Sequence, residues 1–212
     1  MIHIAIVDDH ALVRAGLRQF FAEQADFRVV AEASSGAEVL DILRQGNVDV
    51  IVMDIAMPNQ SGIDALAAIR ARAPELPILI LSGFPESHYA TTLLRQGASG
   101  YLNKECDPDE IVTAIRTVSR GRRYITAQVA ELLADNMAGG NANDKLPHEA
   151  LSDRELQVFL RLAQGETVGH IAEGMFLSVK TVSTYRSRVL DKLKLGSNSD
   201  LTYYALKNGL IQ

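Results

Sequence analysis

Short apolar runs alternate with helix-length periodic segments through the first two thirds of the chain. The runs are HIAIV at 3–7, RVVAEA at 28–33, VDVIVMD at 48–54, PILILS at 77–82 and SGYLNK at 99–104. Their length and Val/Ile content predict buried strands. Between and after them, apolar residues recur at helical spacing, as in Ile63, Leu66 and Ala67. Ile111, Ala114, Ile115 and Val118 do the same behind the Asp107-Pro108 start, where Asp caps and Pro presets the first turn. Five strands alternating with five helices predict an α/β fold, a doubly wound five-stranded parallel sheet. The segment 127–138 also has helix-forming composition.

The pattern changes after Asn136. The stretch NMAGGNANDKLPHE at 136–149 has paired glycines, asparagines and a proline but no apolar period, the composition of a connection between domains; a long surface loop within one domain is the alternative. Beyond it no strand pattern appears. Ser152 and Glu155 have capping-box spacing, and Leu156, Phe159, Leu160 and Ala163 give one apolar face, so a helix is predicted from about 152 to Gly165. Further helices are predicted at about 167–173, from Ser178, and from near Ser199 to Asn208-Gly209. This is a small all-α domain of four helices.

Composition narrows the setting. The 212 residues are 47% hydrophobic and 22% charged, the balance of a globular protein. The single Cys106 forms no internal disulfide, which fits a reducing compartment, and no apolar run approaches a membrane span. The opening residues lack the form of a signal peptide. A cytoplasmic protein without a membrane partner is expected. Net charge is −5, yet 13 basic and 19 acidic residues precede Pro147 while 8 and 7 follow. Five basic residues against Asp191 alone fall within 178–194, a helix-sized positive segment of the kind that meets nucleic acid.

Ligands of a doubly wound sheet bind beyond the carboxyl ends of its strands. Asp8 and Asp9 end the first strand, Asp54 the third and Ser82 the fourth, and Lys104 ends the fifth after Tyr101. Acidic residues there also cap helices, but clustered carboxylates repel unless a cation sits among them. Hard oxygen ligands suit Mg²⁺. A carboxylate beside a metal and an amine can act as a nucleophile toward phosphorus, in a phosphoacceptor or in a phosphatase that turns over a small substrate. His10 follows the acidic pair without a second histidine at ligand spacing and reads as a helix-start residue.

Residues 167–186, TVGHIAEGMFLSVKTVSTYR, join a short helix to a second one capped by Ser178, the spacing of a helix-turn-helix from Thr167 to Arg186. On the second helix Val182, Val189, Leu190 and Leu193 share the inward face. Lys180, Ser183, Thr184 and Ser187 form a polar stripe flanked by Arg186, Arg188, Lys192 and Lys194. Cations to hold phosphates beside short side chains to approach bases suit a major-groove reader. An amphipathic helix of a protein-binding domain has the same period.

These motifs carry two resemblances. Residues 1 to about 120 resemble the receiver domain of two-component response regulators through VDDH, MDIAMP with Pro58 and Gly62, Ser82, and Lys104 in GYLNK. Residues 147–212 resemble the LuxR-type DNA-binding domain of the NarL/FixJ subfamily through LSDRELQVFLRLAQG, IAEGMFLSVKTV and the closing LxxKLxL pattern. The first implies that Asp54 accepts a phosphoryl group from a sensor histidine kinase and that Asp9, Asp54 and the Ala56 carbonyl hold Mg²⁺, with Asp8 acting through water. It also implies that Lys104 contacts the phosphoryl group, and that Ser82 and Tyr101 form the switch. The protein is then no enzyme beyond Mg²⁺-dependent self-phosphorylation and dephosphorylation.

The second resemblance implies a scaffold helix from Val168 to Glu173 and a reading helix from about Val179 to Leu193. Lys180, Thr181, Tyr185, Arg188 and Lys192 would contact phosphates, and Ser183, Thr184 and Ser187 would lie nearest the bases of double-stranded promoter DNA. The last helix, with Leu201, Tyr204 and Ala205 on one face, would dimerise. The implied organisation is a receiver at 1–121, a linker helix and flexible linker at 122–146, and a DNA-binding domain at 147–212. Gly174 stands where a helix-favouring polar residue is usual, so an early helix end is expected there.

Overall fold

A computed structural model of the chain describes residues 1–55, 57, 62–84, 86–137, 147–175, 177–208 and 210–211. The chain divides into two compact units, Met1–Leu133 and Ala134–Gln212.

The first unit holds β1 (Ile2–Val7), β2 (Phe27–Ala33), β3 (Val50–Met53), β4 (Ile78–Ser82) and β5 (Gly100–Asn103). All pairings are parallel, in the order β2-β1-β3-β4-β5. The intervening helices are α1 (Ala11–Ala22), α2 (Gly36–Gln45), α3 (Gly62–Arg72) and α4 (Glu86–Arg95), followed by α5 (Pro108–Val118) and α6 (Ala127–Met137). Helices cover the sheet on both sides, which explains the continuous apolar runs. Ile4, Ile6, Val50, Val52, Leu79 and Leu81 pack with Phe21 of α1 and Ile111 and Ile115 of α5. The alternate residues Ala5, Val7, Ile51, Met53, Ile78 and Ile80 are also fully buried, so strand alternation places them on the other face. In α5, Asp107 accepts a hydrogen bond from Asp109 N and Pro108 opens the helix.

Strand order decides where the polar ends meet. The order reverses at β1/β3, the switch point where such sheets form their ligand crevice. Val7 pairs with Met53, and Asp54 N donates to Val7 O at 2.8 Å, which sets Asp8 beside Asp54. Lys104 N donates to Ser82 O at 2.8 Å, bringing β5's end to the same edge.

In the second unit a short 3-10 turn (Pro147–Ala150) precedes α7 (Asp153–Ala163), α8 (Val168–Gly174), α9 (Val179–Leu193) and α10 (Asn198–Lys207). Ser152 and Glu155 close a complete capping box. Thr167, Ser178 and Ser197 cap the other three helices. The Ser197 cap starts α10 ahead of the predicted Ser199. Val158 and Leu162 are buried along with the predicted face of α7, because α8, α9 and α10 all pack on this helix.

The segment expected to lack structure at 136–149 begins inside α6 and ends inside the 3-10 turn, and its residues 138–146 lie outside the described ones. The scaffold helix does not stop early at Gly174. A Cβ there would lie 2.7 Å from Arg161 Nη1, so glycine admits the guanidinium. Among the described residues no helix is long and apolar enough to cross a membrane.

Candidate functional site

At the carboxyl edge of the sheet, Asp8 and Asp54 are almost fully buried. Lys104 Nζ bridges them, 2.6 Å from Asp8 Oδ2 and 2.7 Å from Asp54 Oδ2. Burial pulls the ammonium's pKa down, but hydrogen bonds and charge from Asp54 and Asp8 outweigh it and hold the group above its ordinary range. Arg14 Nη1 donates to Asp8 O at 2.6 Å.

Asp9 Oδ1 is shielded from solvent and accepts no hydrogen bond, a costly state for a carboxylate oxygen unless a cation approaches it. Its near neighbour is His10 Nδ1 at 2.9 Å, which also lies 3.2 Å from Asp8 Oδ1. His10 occupies the N-cap position of α1 but makes no side-chain cap. The helix-start reading holds, and its ring in addition turns back to the acidic pair. Donor atoms of Asp8, Asp9, His10 and Asp54 all lie within 4.8 Å of one another. This oxygen-rich set, in which Asp9 Oδ1 accepts no hydrogen bond and among the described residues meets only the His10 ring, fits a hard divalent cation. Ala56 and Pro58 lie outside the described residues.

Ser82 is fully buried, and its hydroxyl accepts from Phe84 N at 3.3 Å. Tyr101, also buried, donates its hydroxyl to Phe84 O at 2.8 Å. Burial pushes its phenol pKa above the ordinary value. Asn103 Nδ2 donates to the same carbonyl at 3.3 Å. Two backbone atoms of Phe84 thus tie Ser82 to β5. Gly83 is exposed, with open space where a Cβ would stand.

On α9, Val182, Val189 and Leu193 are buried, while Lys180, Ser183, Thr184, Ser187 and Arg188 are exposed. Thr181, Tyr185 and Leu190 are partly buried. Among the described residues, neither Lys180 nor Arg188 meets an acidic partner. Two hydroxyls bond back along the helix, Thr184 Oγ1 to Lys180 O at 2.9 Å and Ser187 Oγ to Ser183 O at 3.1 Å. Arg186 Nε donates to Asn198 Oδ1 at 2.7 Å, fixing the start of α10. His170 is exposed on α8.

Two placements could not be read from the sequence. Lys192 is not a free cation: its Nζ lies 2.6 Å from Oε2 of the buried Glu155 and 3.2 Å from Ala150 O. Leu201 and Ala205 are fully buried in their own unit, and Tyr204 lies against His148 and Phe159. The exposed face of α10 carries Tyr203 and Leu206, which are exposed by 69% and 51%.

Comparisons with known proteins place both halves. Residues 4–116 match the response regulator receiver domain, and residues 149–205 match the luxR family of bacterial regulatory proteins. The chain is 37% identical to response regulator UvrY of Escherichia coli over 99% of its own length and 96% of that protein's. It is 35% identical to response regulator GacA of Pseudomonas aeruginosa over 100% and 98%. Among solved structures, RcsB of Salmonella enterica serovar Typhimurium, bound to promoter rprA with the phosphomimetic BeF3⁻, shares 25% identity at a TM-score of 0.70, covering 96% of this chain and 98% of that one. The chain therefore belongs to the two-component response regulators of the NarL/FixJ type, a receiver domain followed by a LuxR-type DNA-binding domain.

Proposed function

We propose that Asp54 accepts a phosphoryl group from a sensor histidine kinase and that its occupancy controls promoter binding by α9. The observation that carries this reading is Lys104 Nζ held between Asp54 and Asp8 at the switch point of the sheet. An Asp54 carboxylate oxygen would bond to phosphorus as the bond from phosphorus to the donor's imidazole nitrogen breaks. Lys104 would then turn from the carboxylates to the phosphoryl oxygens. Asp9 and Asp54, with the Ala56 carbonyl and with Asp8 through water, would hold Mg²⁺, which when bound neutralises charge on the transferring group. Ser82 would swing its hydroxyl to a phosphoryl oxygen while Tyr101 adjusts behind it, biasing the receiver between two states.

For the output half, Lys180 and Arg188, exposed and without an acidic partner among the described residues, support a role at DNA phosphates, with Thr181 and Tyr185 beside them; Lys192 would join them only by sharing its ammonium with Glu155. Ser183, Thr184 and Ser187 face the solvent side from which bases would be read. Two copies would pair on an inverted repeat, using Tyr203 and Leu206 if α10 is the contact. We divide the chain functionally into a receiver at 1–121, a linker at 122–146 and a DNA-binding domain at 147–212. A promoter-binding role supports a cytoplasmic location. The test is labelling by acetyl phosphate. Asp54→Asn should reduce it to background with the fold intact by circular dichroism, and chelating Mg²⁺ should do the same to the parent. Undiminished labelling of Asp54→Asn would overturn the assignment.

A further inference from the structure

The chain leaves α5 through Gly121, whose φ of +74° lies in the left-handed region, and turns back along β5. Tyr124 N donates to Ser99 O at 2.8 Å, and Tyr124 forms a parallel bridge with Gly100. Gly100 is where this approach is paid for in side-chain volume. A Cβ there would lie 3.0 Å from Tyr124 O and 2.9 Å from Leu79 Cδ1. Tyr124 OH donates to Glu110 Oε1 at 3.0 Å, pinning this returning segment to α5 as well.

Two residues on, Thr126 does two things. Its hydroxyl accepts from Val129 N at 3.3 Å in the first turn of α6, and it donates in a short bond to Glu86 Oε2. Glu86 is the first residue of α4 and is buried, as is Val129. Burial raises the Glu86 carboxyl pKa, and the Thr126 hydroxyl opposes the rise. Glu86 lies two positions beyond Phe84, whose ring packs 5.2 Å from that of Tyr89 in α4. The backbone of Phe84 carries the bonds to Ser82, Tyr101 and Asn103.

We propose that Glu86 and Thr126 are a clasp that positions the linker helix α6 on the turn after β4, and that occupancy of the Asp54 pocket loosens it. The inference rests on the Proposed function above. If the Ser82 hydroxyl turns to a phosphoryl oxygen, Phe84 N loses its acceptor and the turn must adjust. A hydrogen bond weakens steeply with displacement and misalignment. A shift of Glu86 is therefore felt at Thr126, the residue that starts α6. Because coupling is reciprocal, a clasp that occupancy weakens must itself oppose occupancy.

The experiment uses the full chain with Mg²⁺ and beryllofluoride as the phosphate mimic, read by hydrogen exchange and by the affinity for the mimic. In the parent, amides of 127–133 should exchange roughly tenfold faster once the adduct forms, the effect of losing one hydrogen bond. Glu86→Ala leaves the Thr126 cap in place, yet should show the fast exchange without the mimic and gain nothing further from it. The same variant should bind beryllofluoride about fivefold more tightly, a change that a merely structural Glu86 would not produce. Glu86→Gln, whose amide oxygen still accepts from Thr126, should behave as the parent. An adduct that forms while 127–133 stay unchanged, or an unchanged affinity in Glu86→Ala, overturns the clasp alone. Absence of any adduct in the parent overturns the reading of the pocket, and the clasp's role with it.

Discussion

The acidic pocket and the outer face of α9 both gather polar side chains, but they hold them in opposite ways. Asp8, Asp54 and Ser82 are buried and each has a directional partner, Lys104 beyond the end of β5 for the two carboxylates and Phe84 N for the Ser82 hydroxyl. Lys180, Ser183, Thr184, Ser187 and Arg188 are exposed, and the hydroxyl bonds among them stay within their own helix. A buried polar group must be satisfied before any ligand arrives, so the pocket is a balanced electrostatic unit in which one removal unbalances the rest. A solvated face carries no such obligation. Its residues act separately, and their losses should add.

The sharpest way to break this comparison is Lys104→Met. It leaves the Asp8 and Asp54 carboxylates buried without their ammonium, and should destabilise the first unit by about 3 kcal/mol in metal-free buffer. Saturating Mg²⁺ should restore most of that, since a bound cation replaces the missing charge. Urea unfolding with and without Mg²⁺ is the measurement. Equal stability of variant and parent in chelator would mean the pocket is not balanced by Lys104.

Lys192 tests the comparison from the other side, because it sits on α9 yet is paired with a buried carboxylate. Its partner Glu155 is buried, which alone would raise the carboxyl pKa; the Lys192 ammonium and the bonds to Ser152 outweigh burial and hold it below its ordinary 4.5. A lowered folded pKa means stability that is present above about pH 4.5 and lost as pH falls through the folded value. Lys192→Met should cost the second unit about 2 kcal/mol near neutral pH and flatten this acid dependence in thermal melts. Lys180→Ala and Arg188→Ala should leave the melts within about 0.5 kcal/mol. Each should instead lower the slope of log K against log salt for DNA by roughly one counterion. A Lys192 variant that melts like the parent but loses salt slope would return it to the phosphate contacts.

What was legible in the sequence follows the same division. The strands, the four C-terminal helices and the meeting of Asp8, Asp54 and Lys104 could be read because period and strand topology determine them. The facing of α9 could be read from its period. The engagement of Lys192 could not: Glu155 lies 37 residues away, and periodicity says that a cation is outside without saying which carboxylate packs beside it. For α10 the apolar spacing of Leu201, Tyr204 and Ala205 is the same whether that face meets its own core or another chain, and only the packing of α7 decides it. His10 could be read as a helix-start residue, but the turn of its ring toward Asp8 and Asp9 could not, because no ligand spacing signals it. The contact between Gly100 and Tyr124 had one sequence trace, a glycine opening a strand, which looks like any other glycine until the returning segment is placed.

The smallest expected effect lies at Ser187. In the free protein its hydroxyl donates to Ser183 O, so reading a base edge requires that bond to be given up or shared. The net gain from a good base contact, about 1–3 kcal/mol, is then reduced by a helix-internal bond worth about 1 kcal/mol. Ser187→Ala should accordingly weaken preference at one position per half-site by about 1 kcal/mol. Overall affinity for unrelated DNA and its salt slope should not change, since no cation is lost. Selection from random DNA with parent and variant measures this directly. Identical recovered motifs would show that the hydroxyl stays on Ser183 O in the complex, leaving Ser183 and Thr184 to read the groove. A loss spread over several positions would show that α9 reads as one cooperative unit, as the pocket does, and the contrast between the two regions would fail.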